Sequence, residues 1–216
     1  KARGYRPAGR ILALENPLPE SFLGRPLDLE RGPEIGYCGS WLPIKGIEVI
    51  RREIPGVLNA FPGWRFTLVG VGASFRAADH FPADILPRIS VVPVANRERE
   101  LPELYRRFAI LIAPSLSESF GLATAEAMAC GAAVAATPVG FAAALVEDEE
   151  VVSIDPPGEP GRLADAVGRL IRDPELRRRV ATGGWKRVQE LRWDRAADRL
   201  AAAYEGWAKE IRTVWS

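Results

Sequence analysis

Residues 109–140 read AILIAPSLSESFGLATAEAMACGAAVAATPVG, and this stretch settles the architecture. An apolar run, Ala109–Ala113, ends in the polar turn PSLSES. Gly121 then opens an alanine-rich helical stretch, which closes at Gly131 and gives way to a second apolar run, Ala133–Ala136. Neither run alternates apolar with polar residues. Successive apolar residues mark strands covered on both faces, and two such strands joined through a helix make a right-handed parallel βαβ unit.

The same alternation repeats outward. Further strands are expected at Ile35–Gly39, Arg65–Val69, Ile89–Val94 and Val151–Ile154, with helices at about 46–60, 98–107, 121–130, 141–147 and 160–172. The fold class is therefore α/β: a doubly wound, Rossmann-like parallel sheet of about six strands, helices on both faces, and an all-helical C-terminal segment. In that segment Asp173-Pro174 starts one helix, and Trp193-Asp194 starts the last, with Asp194 as its expected N-cap. Trp185, Trp193, Trp207 and Trp215 are expected to pack these helices together or onto a neighbouring domain.

Three divisions follow. Residues 1–34, rich in Pro, Gly and charge, read as a strand within RILALENP running into a linker; 35–192 form the sheet domain; 193–216 form the closing helix. The chain starts at Lys1 without a methionine, and the expectation is a piece of a longer protein.

Bulk composition excludes several classes. With 29 basic and 28 acidic residues the net charge is +1, which argues against a dedicated nucleic-acid binder. Cys38 and Cys130 fit no metal or disulfide spacing and read as small buried side chains. No apolar run reaches the roughly 20 residues of a membrane span, and no signal peptide is seen. His80, the one histidine, reads as a surface residue.

The chemistry gathers in the opening stretch. Ligands of open α/β sheets bind beyond the carboxyl ends of the strands. There, Glu118 lies just outside the helix that Gly121 begins, and Glu126 lies roughly 7–8 Å along its axis. Between them the unpaired amides of the helix start and the helix dipole form an anion site. Acid, anion-binding amides and acid match the order of a nucleotide sugar: sugar hydroxyls, diphosphate, ribose hydroxyls. The plain alternatives are a dipole-stabilising acid for Glu118 and a surface acid for Glu126. The apolar neighbours of Glu126 argue against the second.

The Glu-x7-Glu of ESFGLATAE, followed by AMACGAAV, resembles the retaining glycosyltransferases of family 4, which have the two-domain GT-B fold. GSWLPIKG (39–46), TPVGF (137–141), DPPGEPGRLADAVGRLIRDPELRRRV (155–180), RWDRAADRLAAAYE (192–205) and the linker LENPLPESF (14–22) resemble that family's other motifs in order. The resemblance implies the C-terminal, donor-binding half, with the N-terminal acceptor half missing except for its last strand. It also implies metal-independent transfer and no separate cofactor. The donor would be a nucleoside diphosphate sugar of UDP or GDP type, and the acceptor a glycan or lipid-linked sugar of the cell envelope.

Residue by residue, it places Lys45 on the donor diphosphate beside Gly39 and Ser40. Glu118 falls near the reacting centre, with Ser119, Phe120 and Gly121 along the sugar. The Leu122 amide goes to the β-phosphate, Glu126 to ribose and Gly72 to a close backbone approach. Val94–Asn96 would edge the base. Ser40 stands where the family has an arginine, which leaves the diphosphate site one cation short unless Arg51 or the missing half supplies it. Ala133, Phe141 and Ala144 also depart from the pattern, and Phe141 is expected to narrow the turn beside the donor. The arginines of 172–195 read as a solvated face, with contact to an anionic membrane as the sharper alternative. The place implied is the cytoplasm, at the inner face of the membrane. Two other readings stay open: a non-catalytic nucleotide- or sugar-phosphate-binding module, and a nucleotide-sugar epimerase.

Overall fold

The computed structural model describes residues 14–24 and 26–214. Six parallel strands lie in the order β3-β2-β1-β4-β5-β6: β1 Glu34–Cys38, β2 Arg65–Val69, β3 Ile89–Val92, β4 Ile110–Ala113, β5 Ala133–Ala136 and β6 Val152–Ser153. The helices are α1 Glu20–Leu23, α2 Ile47–Ala60, α3 Leu101–Arg107, α4 Leu122–Ala129, α5 Arg162–Arg172, α6 Pro174–Val188 and α7 Trp193–Val214. The strand order reverses between β1 and β4. A crevice opens at such a reversal, because the two chains leave the sheet toward opposite faces.

Two apolar layers enclose the sheet. Ile35, Phe66, Leu68, Ile110 and Ile112 join α2 and α5 on one face. Val69, Leu111 and Val134 join α3 and α4 on the other. This is why the strands carry apolar residues in succession. Asp173 accepts the Leu176 N–H at 2.9 Å and caps α6, as its Asp-Pro start implies.

Helix α5 has no capping side chain of its own, because its N-cap is Gly161. Glu53, buried on α2, supplies the acceptor instead. It takes the N–H of Gly161 at 3.0 Å and of Ala164 at 2.9 Å. Glu53→Ala is expected to leave both donors without this partner and to cost roughly 2–4 kcal/mol of stability. A urea midpoint equal to the parent's would contradict that role.

Several expectations change. The helix at 141–147 is a 3₁₀ turn, Gly140–Ala144, and the helix at 98–107 starts only at Leu101. Asp194 lies inside α7, where its carboxylate takes the Arg195 N–H, so it is not the N-cap. Trp193 is exposed rather than packed, and among the described residues the ring of Trp207 meets that of Tyr204 edge-on. Trp215 and the first half of RILALENP, residues 10–13, lie outside the described residues, and 14–17 are not strand. His80 is not a free surface residue. It stacks on Phe75 at 4.8 Å and leans on Trp41 at 5.2 Å. Cys130 is buried and Cys38 half-buried, and burial pushes their thiols up to about 12 and about 11.

Candidate active site

The crevice at the β1/β4 reversal holds a cleft of about 390 Å³. Gly39, Ser40, Lys45, Glu118, Ser119, Phe120, Gly121, Leu122 and Glu126 all line it. Gly72 does not: it follows β2 at φ +99 and stands outside the lining residues.

Two loops bring Lys45 and Glu118 together. The loop after β1 ends in a 3₁₀ turn, Pro43–Lys45, closed by Gly46 at φ +74. A Cβ on Gly46 would lie 1.9 Å from the Pro114 carbonyl oxygen, so only glycine lets this loop meet the end of β4. The Leu116 N–H then donates to the Ile44 carbonyl at 2.8 Å and joins the loops. Lys45 Nζ consequently lies 2.7 Å from Glu118 Oε1, and the Ser115 hydroxyl donates to the same oxygen at 2.8 Å. Buried Thr137 donates in turn to the Ser115 carbonyl, tying the TPVG turn beneath the acid. Across this contact lysine and glutamate neutralise each other.

Beside this pair the N–H groups of Ser119, Phe120, Gly121 and Leu122 donate to no acceptor among the described residues. Gly121 holds φ +97 ahead of α4, which leaves the helix start uncovered by a side chain. The second turn presses close behind: a Cβ on Gly140 would meet the Phe120 carbonyl at 2.4 Å. Phe141 does not narrow the cleft. It is buried against Phe120, ring centroids 5.2 Å apart, with the Arg187 guanidinium 5.3 Å from its ring centroid.

Glu126 is only 3% exposed. Its Oε1 accepts from Arg97 Nη2 at 2.7 Å and Nε at 3.1 Å, and its Oε2 accepts from the Tyr105 hydroxyl at 3.2 Å. Burial raises the carboxyl above its ordinary range, while Arg97 and Tyr105 pull the other way. Arg51 does not compensate for Ser40, for it pairs with Glu48 at 3.3 Å on an exposed helix face. Sequence reasoning missed Arg97, Tyr105, Ser115, Thr137 and Asn16, a linker residue that also lines the cleft. Ser115 and Thr137 stood inside quoted motifs. Arg97 carried no local signal.

The model of the family described as glycosyl transferases group 1 matches residues 32–173, about two thirds of the chain. The chain belongs to this family. The D-inositol 3-phosphate glycosyltransferase of Acidothermus cellulolyticus is 32% identical over 202 residues, covering 89% of this chain and 44% of that protein. The chain thus spans about half the length of the curated relatives it matches. Among solved structures, the sucrose-phosphate synthase of Thermosynechococcus elongatus superposes with a TM-score of 0.69 at 26% identity, over 91% of this chain and 50% of that one. The C-terminal domain of a group 1 glycosyltransferase (LpcC) of Francisella tularensis superposes with a TM-score of 0.63 at 26% identity, over 72% of this chain and 84% of that one. The group 1 chain is thus the C-terminal domain of a GT-B glycosyltransferase. No helix among its described residues is long and apolar enough to cross a membrane.

Proposed function

We propose that this domain binds the donor of a retaining sugar transfer from a nucleoside diphosphate sugar, and that it works without a metal ion. The observation that carries the reading is the convergence, in one cleft, of Lys45, Glu118, the open amides before α4 and Glu126. A diphosphate leaves well once its growing charge is met, and preorganised amides with an ammonium meet it. Glu118 stands on the sugar side and Glu126 on the ribose side. Ribose and sugar hydroxyls are donors that carboxylates accept.

The acceptor belongs to the part of the enzyme that completes the cleft. A glycan or a lipid-linked sugar is proposed there. The name of the Acidothermus relative adds an inositol phosphate to the classes to be tried. The arginine-rich helices keep their reading as a solvated face, with contact to an anionic membrane at the cytoplasmic face as the alternative. This domain alone is expected to bind donor without turning it over. Ser40 in place of the family arginine is the one feature that favours the second reading, a binding module without transfer.

A thermal-shift panel of nucleoside diphosphates and their sugars tests the proposal, since a ligand of the folded state raises its stability by mass action. UDP or GDP is expected to stabilise the domain, and no response to any member would overturn the reading. Calorimetry on Lys45→Ala should then show a loss of about 1.5–3 kcal/mol in diphosphate affinity. Unchanged affinity would remove Lys45 from the site.

A further inference from the structure

We propose that Arg97 is a positioning residue for Glu126: it holds the acid charged and aimed, and it yields part of that hold to the ribose. The second half of this statement rests on the donor-binding reading above; the first does not.

The geometry is specific. Arg97 follows β3 and reaches Glu126 from outside the helix that carries the acid, with two N–H groups on a single oxygen at 2.7 and 3.1 Å. Its own side chain is half exposed, whereas that of Glu126 is 4% exposed. Tyr105 of α3, fully buried, donates to the other oxygen. Cys38, at the end of β1, and Cys130, after α4, lie within electrostatic reach of the acid. Of these neighbours only Arg97 is a cation. The cost of a buried carboxylate is therefore met from one side by a residue free to move on its solvent side.

The acceptor count explains why it must move. A carboxylate offers about four lone-pair positions, two on each oxygen. Arg97 takes both on Oε1 and Tyr105 takes one on Oε2. One position remains, and a ribose diol needs two. Binding both hydroxyls requires Arg97 to give up one contact while its charge stays near. Local backbone supports the placement. The Asn96 side chain accepts the N–H groups of Glu98 and Arg99, and the Asn96 N–H donates to Glu100. That turn delays α3 until Leu101 and leaves Arg97 ahead of the helix, where it reaches Glu126.

Two measurements on this chain test the idea. The first needs no nucleotide. Carbon-13 titration of the Glu126 carboxyl, in the parent and in Arg97→Met, should show the midpoint rising by at least about one pH unit in the variant, with Arg97→Lys between them. Equal midpoints overturn the proposal.

The second is UDP and GDP affinity against pH. The ratio of Arg97→Met to parent dissociation constants should fall by roughly tenfold as pH rises through the variant's own Glu126 midpoint, taken from the carboxyl titration, because that carboxyl then ionises. A ratio constant with pH would overturn the exchange. If constant and above one, Arg97 is a direct nucleotide contact; if constant and below one, it is a mere obstruction. A parent that binds no nucleoside diphosphate would sink the donor-binding reading and the exchange. The carboxyl titration would still decide the positioning role.

Discussion

Glu118→Gln, made in the complete enzyme, is expected to lower kcat by roughly 100-fold, the scale seen when one preorganised electrostatic contact at a reacting centre is lost. As the glycosidic bond breaks, positive charge builds on the sugar, and a carboxylate beside it stabilises that state more than the ground state. The amide keeps the shape and can still accept the Ser115 hydroxyl that now donates to Oε1 at 2.8 Å. It cannot hold the Lys45 ammonium as a counter-ion. That lysine is then freer to meet the diphosphate, so KM should hold or fall. Glu126→Ala is the contrasting control: removal of a uniform binding group raises KM and leaves kcat nearly unchanged. Steady-state constants with melting temperatures for both variants separate the cases. If Glu118→Gln alters only the melting temperature, Glu118 is no more than an acid at a helix end. If both variants alter KM alone, neither acid takes part in the chemical step.

Gly46→Ala is expected to destabilise the domain by roughly 3 kcal/mol or more. Two costs combine at this position. The left-handed backbone, φ +74, strains any residue with a Cβ. The new methyl would also lie 1.9 Å from the Pro114 carbonyl oxygen, which is main chain and cannot swing aside. Either the loop after β1 or the end of β4 must retreat. Both carry half of the Lys45–Glu118 pair, so diphosphate affinity should fall together with stability. Urea unfolding and calorimetry on the same preparation check this. A normal urea midpoint would mean that the loop contact is dispensable, and normal affinity in a destabilised variant would mean that Lys45 does not depend on it.

Much of this was legible before any coordinates. Arg65–Val69 and Ala133–Ala136 are strands to the residue, because turn residues bracket apolar runs that only a doubly covered strand explains. The Glu-x7-Glu stretch placed both acids in the cleft for the same reason: a strand end, a turn and a helix start fix their spacing. What failed depended on distant partners. Phe141 looked like an obstruction because its neighbours in sequence are the turn, yet Arg187 from α6 and Phe120 hold it underneath. His80 sits in a polar stretch, but Trp41 from the loop after β1 joins its near neighbour Phe75 in covering it. The 3₁₀ turn at Gly140–Ala144 replaces a helix because Gly140, at φ +57, faces main chain at once. Arg97 was invisible because an ion pair 29 residues apart in sequence leaves no periodic trace.

The lysine and glutamate that neutralise each other in the cleft bear on the end of a catalytic cycle as much as on its start. A bare phosphate arriving there would have to part them while offering Glu118 no hydroxyl in return. A nucleotide sugar offers both sides a replacement. Once the sugar has gone to its acceptor, the spent nucleotide again satisfies the lysine alone, and Glu118 competes to recover it over a 2.7 Å contact. Under the proposed function the resident pair thus biases occupancy toward intact donor and hastens departure of the leaving half, so that turnover would depend on a contact that competes with the nucleotide for its lysine.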